Sequence, residues 1–167
     1  MEHENMSKVQ KLTFSAMVIA LYVVILYFTQ SFSFGAYQIR IATSLYALSY
    51  LFPFLVIPLG LANFIANALF GGLGILDMVG GCLVGIVTTA TIVSIRKLCK
   101  NRCLIAVPIV AFPGLCVPIW LSYCLSVPYG PLAVSLCIGQ IIPAVVGVAL
   151  VKALERVLGM EKKKAFV

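Results

Sequence analysis

Long apolar runs alternate along this chain with short basic clusters. Leu12 to Phe28, Leu73 to Ile95, Leu104 to Leu125 and Leu132 to Val151 hold no Lys or Arg, and Asp77 is their only charge. Each run is long enough to cross a hydrocarbon core of about 30 Å as a helix. Barrel strands would need segments of about ten residues with alternating polarity, and that pattern is missing. The pattern predicts an all-α polytopic membrane protein.

The basic clusters set the topology. Lys8 and Lys11, then Arg96, Lys97, Lys100 and Arg102, then Lys152, Arg156 and Lys162 to Lys164 separate the apolar runs. Positive residues mark cytoplasmic ends, so both termini and the 96 to 102 loop are expected on the cytoplasmic side. Each interval between clusters then needs an even number of crossings. Two fit between 104 and 151, with a turn at "SVPYGP" (126 to 131), and four fit between 12 and 95. The expected spans are 12 to 31, 40 to 52, 54 to 70, 73 to 95, 104 to 126 and 131 to 153. They make six transmembrane helices in a single integral membrane domain over 1 to 167. The second is short, needs shelter from its neighbours, and carries Arg40 at the outer surface.

Composition narrows the function classes. The chain is 62% apolar and 10% charged, against about 25% charged in soluble domains. Its net charge of +7 lies in the three clusters, which suits a membrane surface and argues against nucleic acid. The basic start followed by an apolar run has the outline of a signal peptide, but no small-x-small site precedes Gln38, so it is expected to stay uncut. The six cysteines form no CxxC, and the single histidine, His3, is in the tail. Buried thiols packing as small apolar groups are expected, with no metal site. No GxxxxGK[ST] loop is present, and the ionisable groups within the apolar region reduce to Arg40 and Asp77, so an enzyme is not expected.

The polar residues within the apolar region are the candidates for binding. Arg40 can snorkel to headgroups, or line an outward pocket and offer its planar fork to a carbonyl or heterocycle edge. Thr43 and Ser44 follow it with hydroxyls. Asp77 can pair with Arg40, cap a helix break in "GGLGILD", or accept from a ligand N–H. Asn63 and Asn67, four apart, share a helix face, where amides serve either interhelical bonds or a ligand. Trp120 and Tyr123 suit an aromatic belt or a stacked flat ligand. Gln140 can read a donor and acceptor edge. Pro108, Pro113 and Pro118 predict a kinked or partly unwound fifth span, the kind of break that marks transporter sites, although membrane helices also tolerate proline. Ala16 and Ala20 form a small-xxx-small pair that permits close helix approach.

"FGAYQIRIATSLYALSYLFP" followed by "LANFIANALFGGLGILDMVGG" resembles the QueT family, the substrate-binding S components of energy-coupling factor (ECF) transporters linked to uptake of queuosine precursors. Arg40, Asn67, Gly71, Gly72, Gly74 and Asp77 match the family pattern. The resemblance covers roughly 10 to 150 and implies a bacterial cell membrane protein that captures a deazaguanine-type base or queuine outside. A transmembrane coupling subunit and two ATPase subunits would use the ATP, leaving this chain no cofactor of its own. Ala16 and Ala20 would face the coupling subunit, and the S component would topple to carry its pocket across. Relatives often have R-x-x-E where this chain has Thr43, and Gly-Glu where it has Gly139 and Gln140. The acid-poor pocket implies queuine, queuosine or an uncharged precursor over the aminomethyl base. An S component for another small vitamin and a non-transporting membrane scaffold are the alternatives.

Overall fold

The computed structural model describes residues 6–33, 38–71, 73–99 and 101–158. His3, segment 34–37, Gly72, Lys100 and Lys162 to Lys164 lie outside the described residues. Five α-helices carry the chain: α1 Lys8–Ser33, α2 Val56–Ala66, α3 Ile75–Leu98, α4 Ala106–Leu125 and α5 Tyr129–Val157. A ten-residue 3-10 helix, Ile41–Tyr50, lies between α1 and α2, and a π turn, Asn67–Gly71, extends α2. No strand occurs among the described residues.

Five of these segments, with α2 counted as Pro53–Gly71, are long and apolar enough to cross a membrane, and no more than 44% of any apolar window is buried within the protein. The uncovered faces carry large hydrophobics such as Leu12, Phe28, Ile57, Ile75 and Val134. In water such faces would drive aggregation. Here they are the surface that lipid wets.

The central 3-10 helix is enclosed by the others. Every residue from Ala42 to Tyr50 is buried, and the main apolar core forms around it from Tyr22, Leu26, Leu55, Leu59, Ile109 and Val151, among others. Pairings along its length show the topology. Phe14 meets Phe52 while Tyr22 stacks on Tyr46, so α1 runs antiparallel to it. On α3, Thr89 accepts from Ser49, and Arg96 donates to Tyr50 further along, so α3 runs parallel to it.

A 3-10 helix rises about 2.0 Å per residue against about 1.5 Å for an α-helix, so ten residues cover about 20 Å. Runs beyond three or four residues are uncommon because the hydrogen bonds are poorer. This one has additional bonds. Thr43 Oγ1 lies 2.7 Å from the Arg40 carbonyl, and Ser49 Oγ donates to Tyr46 O at 2.7 Å. At the far end Arg96 Nη1 donates to Tyr50 O at 2.9 Å and Leu51 O at 3.1 Å, capping carbonyls that a helix end leaves without partners. Close by, Arg102 Nε meets Glu155 Oε2 at 2.5 Å, joining the segment before α4 to the end of α5.

Two local expectations change. The fifth span, α4, is not unwound, being helical from Ala106 to Leu125 with Pro113 and Pro118 inside it; irregular backbone occurs instead at the end of α2, where Asn67 opens the π turn. Proline removes one amide hydrogen bond per site, which a well-packed helix tolerates, whereas the π turn "NALFG" begins at the Asn67 amide and ends on Gly71. The cysteines are not buried as expected. Cys99, Cys103 and Cys124 are exposed and Cys82, Cys116 and Cys137 half-buried, all as free thiols: Cys99 and Cys103 flank the basic loop, and Cys124 lies near the end of α4.

Arg96→Gln removes the charged donor from two carbonyls and is expected to cost about 1–3 kcal/mol. A lower thermal unfolding midpoint in detergent checks this, with Lys97→Gln beside it expected to leave the midpoint unchanged.

Candidate functional site

The polar residues of the apolar region converge where the central helix begins. Ile39 N donates to Phe32 O at 3.0 Å, which fixes the strand of chain before Arg40 to the end of α1. Gln38, two residues earlier, has φ of 42°, a value few non-glycine residues adopt and one that gathers at functional sites. Arg40 is buried, and its Nη2 donates to Asn67 Oδ1. It does not snorkel to the surface.

Asn67 turns this contact into a bridge. Its Nδ2 donates to the Asp77 carbonyl at 2.8 Å, so one amide links the central helix, the π turn and the first turn of α3. Asp77 therefore meets Arg40 through Asn67, and its own Oδ1 accepts from Trp120 Nε1 at 3.1 Å. A carboxylate in the first turn of a helix also gains from the helix dipole. Gly74, which caps α3, has φ of 81°, a conformation open to glycine at little cost.

α3 carries glycine where these side chains press against it. A Cβ at Gly80 would stand 3.0 Å from the Trp120 ring, and one at Gly81 would stand 2.5 Å from Asn67 Nδ2 and 2.8 Å from Asn63 Oδ1. Trp120 is thus an inward group rather than a belt residue.

Thr43 and Gln140 complete the upper level. Thr43 Oγ1 lies 2.9 Å from Gln140 Oε1 as well as 2.7 Å from the Arg40 carbonyl, and Gln140 Nε2 donates to Gln38 O at 3.4 Å. A hydroxyl has one proton, so Thr43 Oγ1 donates to one of the two at a time, and the Arg40 carbonyl also accepts from Thr43 N at 2.9 Å.

One expected site residue stands apart. Tyr123 is 82% exposed; it lies one turn beyond Trp120, close to the end of α4 at Leu125. Ser44 is buried, and its backbone carbonyl packs on α5, 3.1 Å from where a Cβ on Gly147 would be.

Of a lower level, sequence reading singles out only Asn63. Asn63 Nδ2 donates to Tyr46 Oη at 2.5 Å, and the Tyr46 ring stacks on Tyr22 with centroids 6.0 Å apart. Asn63 Oδ1 is buried with no hydrogen-bond partner among the described residues. The Cβ position of Gly81 lies against both Asn67 Nδ2 and Asn63 Oδ1, so the two levels adjoin. The clustered hydroxyl residues in "TSLYALSY" were the available signal for Tyr46, whereas Tyr22 reads as an ordinary helix residue.

Ala16 and Ala20 are exposed on α1. Beside them an apolar groove of about 570 Å³ is lined by Met17, Ala20 and Val24 of α1, Leu45 and Leu48 of the central helix, and Leu150 and Leu154 of α5.

Comparison with known proteins finds no match among curated proteins and none among solved structures. The QueT transporter family model matches residues 12–156. That match takes in all of α2, α3 and α4 and every residue of the polar cluster, and the chain belongs to the QueT transporter family.

Proposed function

We propose that this chain is the substrate-binding S component of an ATP-driven ECF importer, and that it captures an uncharged deazaguanine-type base. The family is one of transporters and not of enzymes, and the multi-pass apolar architecture suits a membrane carrier of a small substrate. One observation carries the site assignment: Arg40 is buried and held by Asn67 at a π turn, where irregular backbone in a membrane helix commonly lines a binding site.

The chemistry follows from the groups present. Arg40 offers a fixed cationic donor fork to a ring carbonyl. Gln140 and Thr43 offer a neutral donor and acceptor pair, Trp120 offers an aromatic face, and Asp77 holds the Trp120 indole. With positions 43 and 140 neutral, Asp77 is the one carboxylate of the cluster, and its Oδ1 is already used on Trp120, which disfavours a cationic aminomethyl group. The substrate enters from the cell exterior, both termini face the cytoplasm of a bacterial cell, and release inside is driven by two ATPase subunits through a transmembrane coupling subunit. The exposed Ala16 and Ala20 and the adjoining apolar groove suit close approach of that subunit's helices.

Mass spectrometry of small molecules co-purifying with the protein tests the substrate class directly. Binding of a panel of deazaguanine bases, queuine and queuosine is expected to favour uncharged members. Tight selection of the aminomethyl base over all others rules the charge argument out. Arg40→Ala is expected to weaken binding about ten- to a hundredfold, the size of a lost charge-assisted bond, and to reduce uptake by cells to match while membrane insertion persists. Unchanged uptake leaves Arg40 with a structural role only. Ala16→Leu with Ala20→Leu is expected to abolish co-purification with the coupling subunit while the purified chain still binds its ligand. Association that survives both substitutions places the docking surface elsewhere.

A further inference from the structure

We infer that Gln140 is a positioning residue for Arg40: its amide grips the chain on both sides of the arginine and holds the backbone that aims the guanidinium. This inference rests on the base-binding reading above and deepens it.

The backbone that enters the central helix is irregular, so its carbonyls need partners from outside a regular helix. Three consecutive carbonyls find them on three different elements. Gln140 Nε2 of α5 donates to Gln38 O at 3.4 Å, Ser33 Oγ of α1 donates to Ile39 O at 3.4 Å, and Thr43 N of the central helix donates to Arg40 O at 2.9 Å. Gln38 has φ of 42°, a conformation that persists in a non-glycine residue only where its surroundings over-determine it. The Gln140 bond falls on that strained residue itself.

The same amide reaches past Arg40. Gln140 Oε1 lies 2.9 Å from Thr43 Oγ1, so its two contacts, at 38 and 43, flank the arginine, and Arg40, Thr43 and Gln140 are all buried. An amide carries two N–H groups and two acceptor sites on its oxygen, so this grip leaves one of each for a base. Gln140 also stands on a fixed mount. A Cβ at Gly114 would stand 2.5 Å from Cys137 Sγ, and one at Gly147 would stand 3.1 Å from the Ser44 carbonyl. Helix α4 thus presses on α5 one turn before Gln140, and the central helix does so two turns after it. Asn67 holds the guanidinium and Gln140 the backbone, which fixes the arginine at both ends before a ligand arrives.

Isothermal titration calorimetry on the full chain in detergent, with 7-deazaguanine as probe, tests this through a double-mutant cycle. Gln140→Met, which keeps the side-chain length and removes its hydrogen bonds, is expected to weaken binding about tenfold. In an Arg40→Ala background the same substitution is expected to cost less than about twofold, because no guanidinium remains to be aimed. Equal losses in the two backgrounds overturn the inference and leave Gln140 acting on the base or the fold directly. Unchanged affinity in Gln140→Met overturns it as well. Should Gln140→Met fail to fold, Thr43→Val, which removes the hydroxyl between Gln140 and the Arg40 carbonyl, runs the same cycle. Wild-type protein that binds no 7-deazaguanine counts against the base-binding reading, and the cycle is then read without ligand in the emission of Trp120. This is the one tryptophan of the chain, and it is linked to Arg40 through Asp77 and Asn67. Gln140→Met and Arg40→Ala are expected to shift that emission in the same direction, and the double variant no further than Arg40→Ala alone. Shifts that add, or no shift in Gln140→Met, overturn the positioning role whatever the ligand.

Discussion

The amide of Asn67 holds the candidate site together. It accepts from Arg40 with one atom and donates to the Asp77 carbonyl with the other, at the point where α2 widens into a π turn. In a lipid-wetted bundle no water is available to replace either bond. The start of the central helix, the end of α2 and the start of α3 are therefore positioned by a single side chain, and Trp120 of α4 is added through Asp77.

The central 3-10 helix follows from the same economy of polar groups. It must reach from the Arg40 level to the Arg96 level with ten residues, and the longer rise per residue of the tighter coil supplies the length. Its small and hydroxyl residues let neighbouring helices approach from all sides, and the hydroxyls of Thr43 and Ser49 return hydrogen bonds to its own carbonyls. Arg96 closes the far end. One basic residue of the clusters that read as topology signals is thus also a helix cap, and a second, Arg102, is paired with Glu155.

Polar groups in this protein are arranged by level. Near Arg40 they are cross-linked to one another. One level below, Asn63 donates to Tyr46, while its own amide oxygen is buried without a partner among the described residues. At the opposite end charged residues secure helix termini. Between these levels the contacts are mostly apolar or between glycine and a facing side chain, with hydroxyl bonds such as Ser49 Oγ to Thr89 O, the packing expected where lipid gives helices no hydrophobic reason to associate.

The helical class, the membrane setting and the existence of a short segment after the first span were legible in the sequence. Uninterrupted apolar runs in lipid can only be helices, and basic residues mark their ends. Arg40, Thr43, Asn67, Asp77, Trp120 and Gln140 were legible as candidates because a polar residue inside such a run needs a partner. Their partners were not legible. Arg40 and Asn67 are 27 residues apart, Thr43 and Gln140 97, and spacing along a chain says nothing about distance between helices. For the same reason Tyr123 read as well as Trp120 until packing on Gly80 turned one inward and left the other out. Only the tertiary structure decided that the break belongs to α2 rather than to the proline-rich α4, and that Tyr22 stands among the polar groups. Local sequence sets the periodicity and polarity of each helix, whereas its rotation about its own axis is set by the neighbours it packs against.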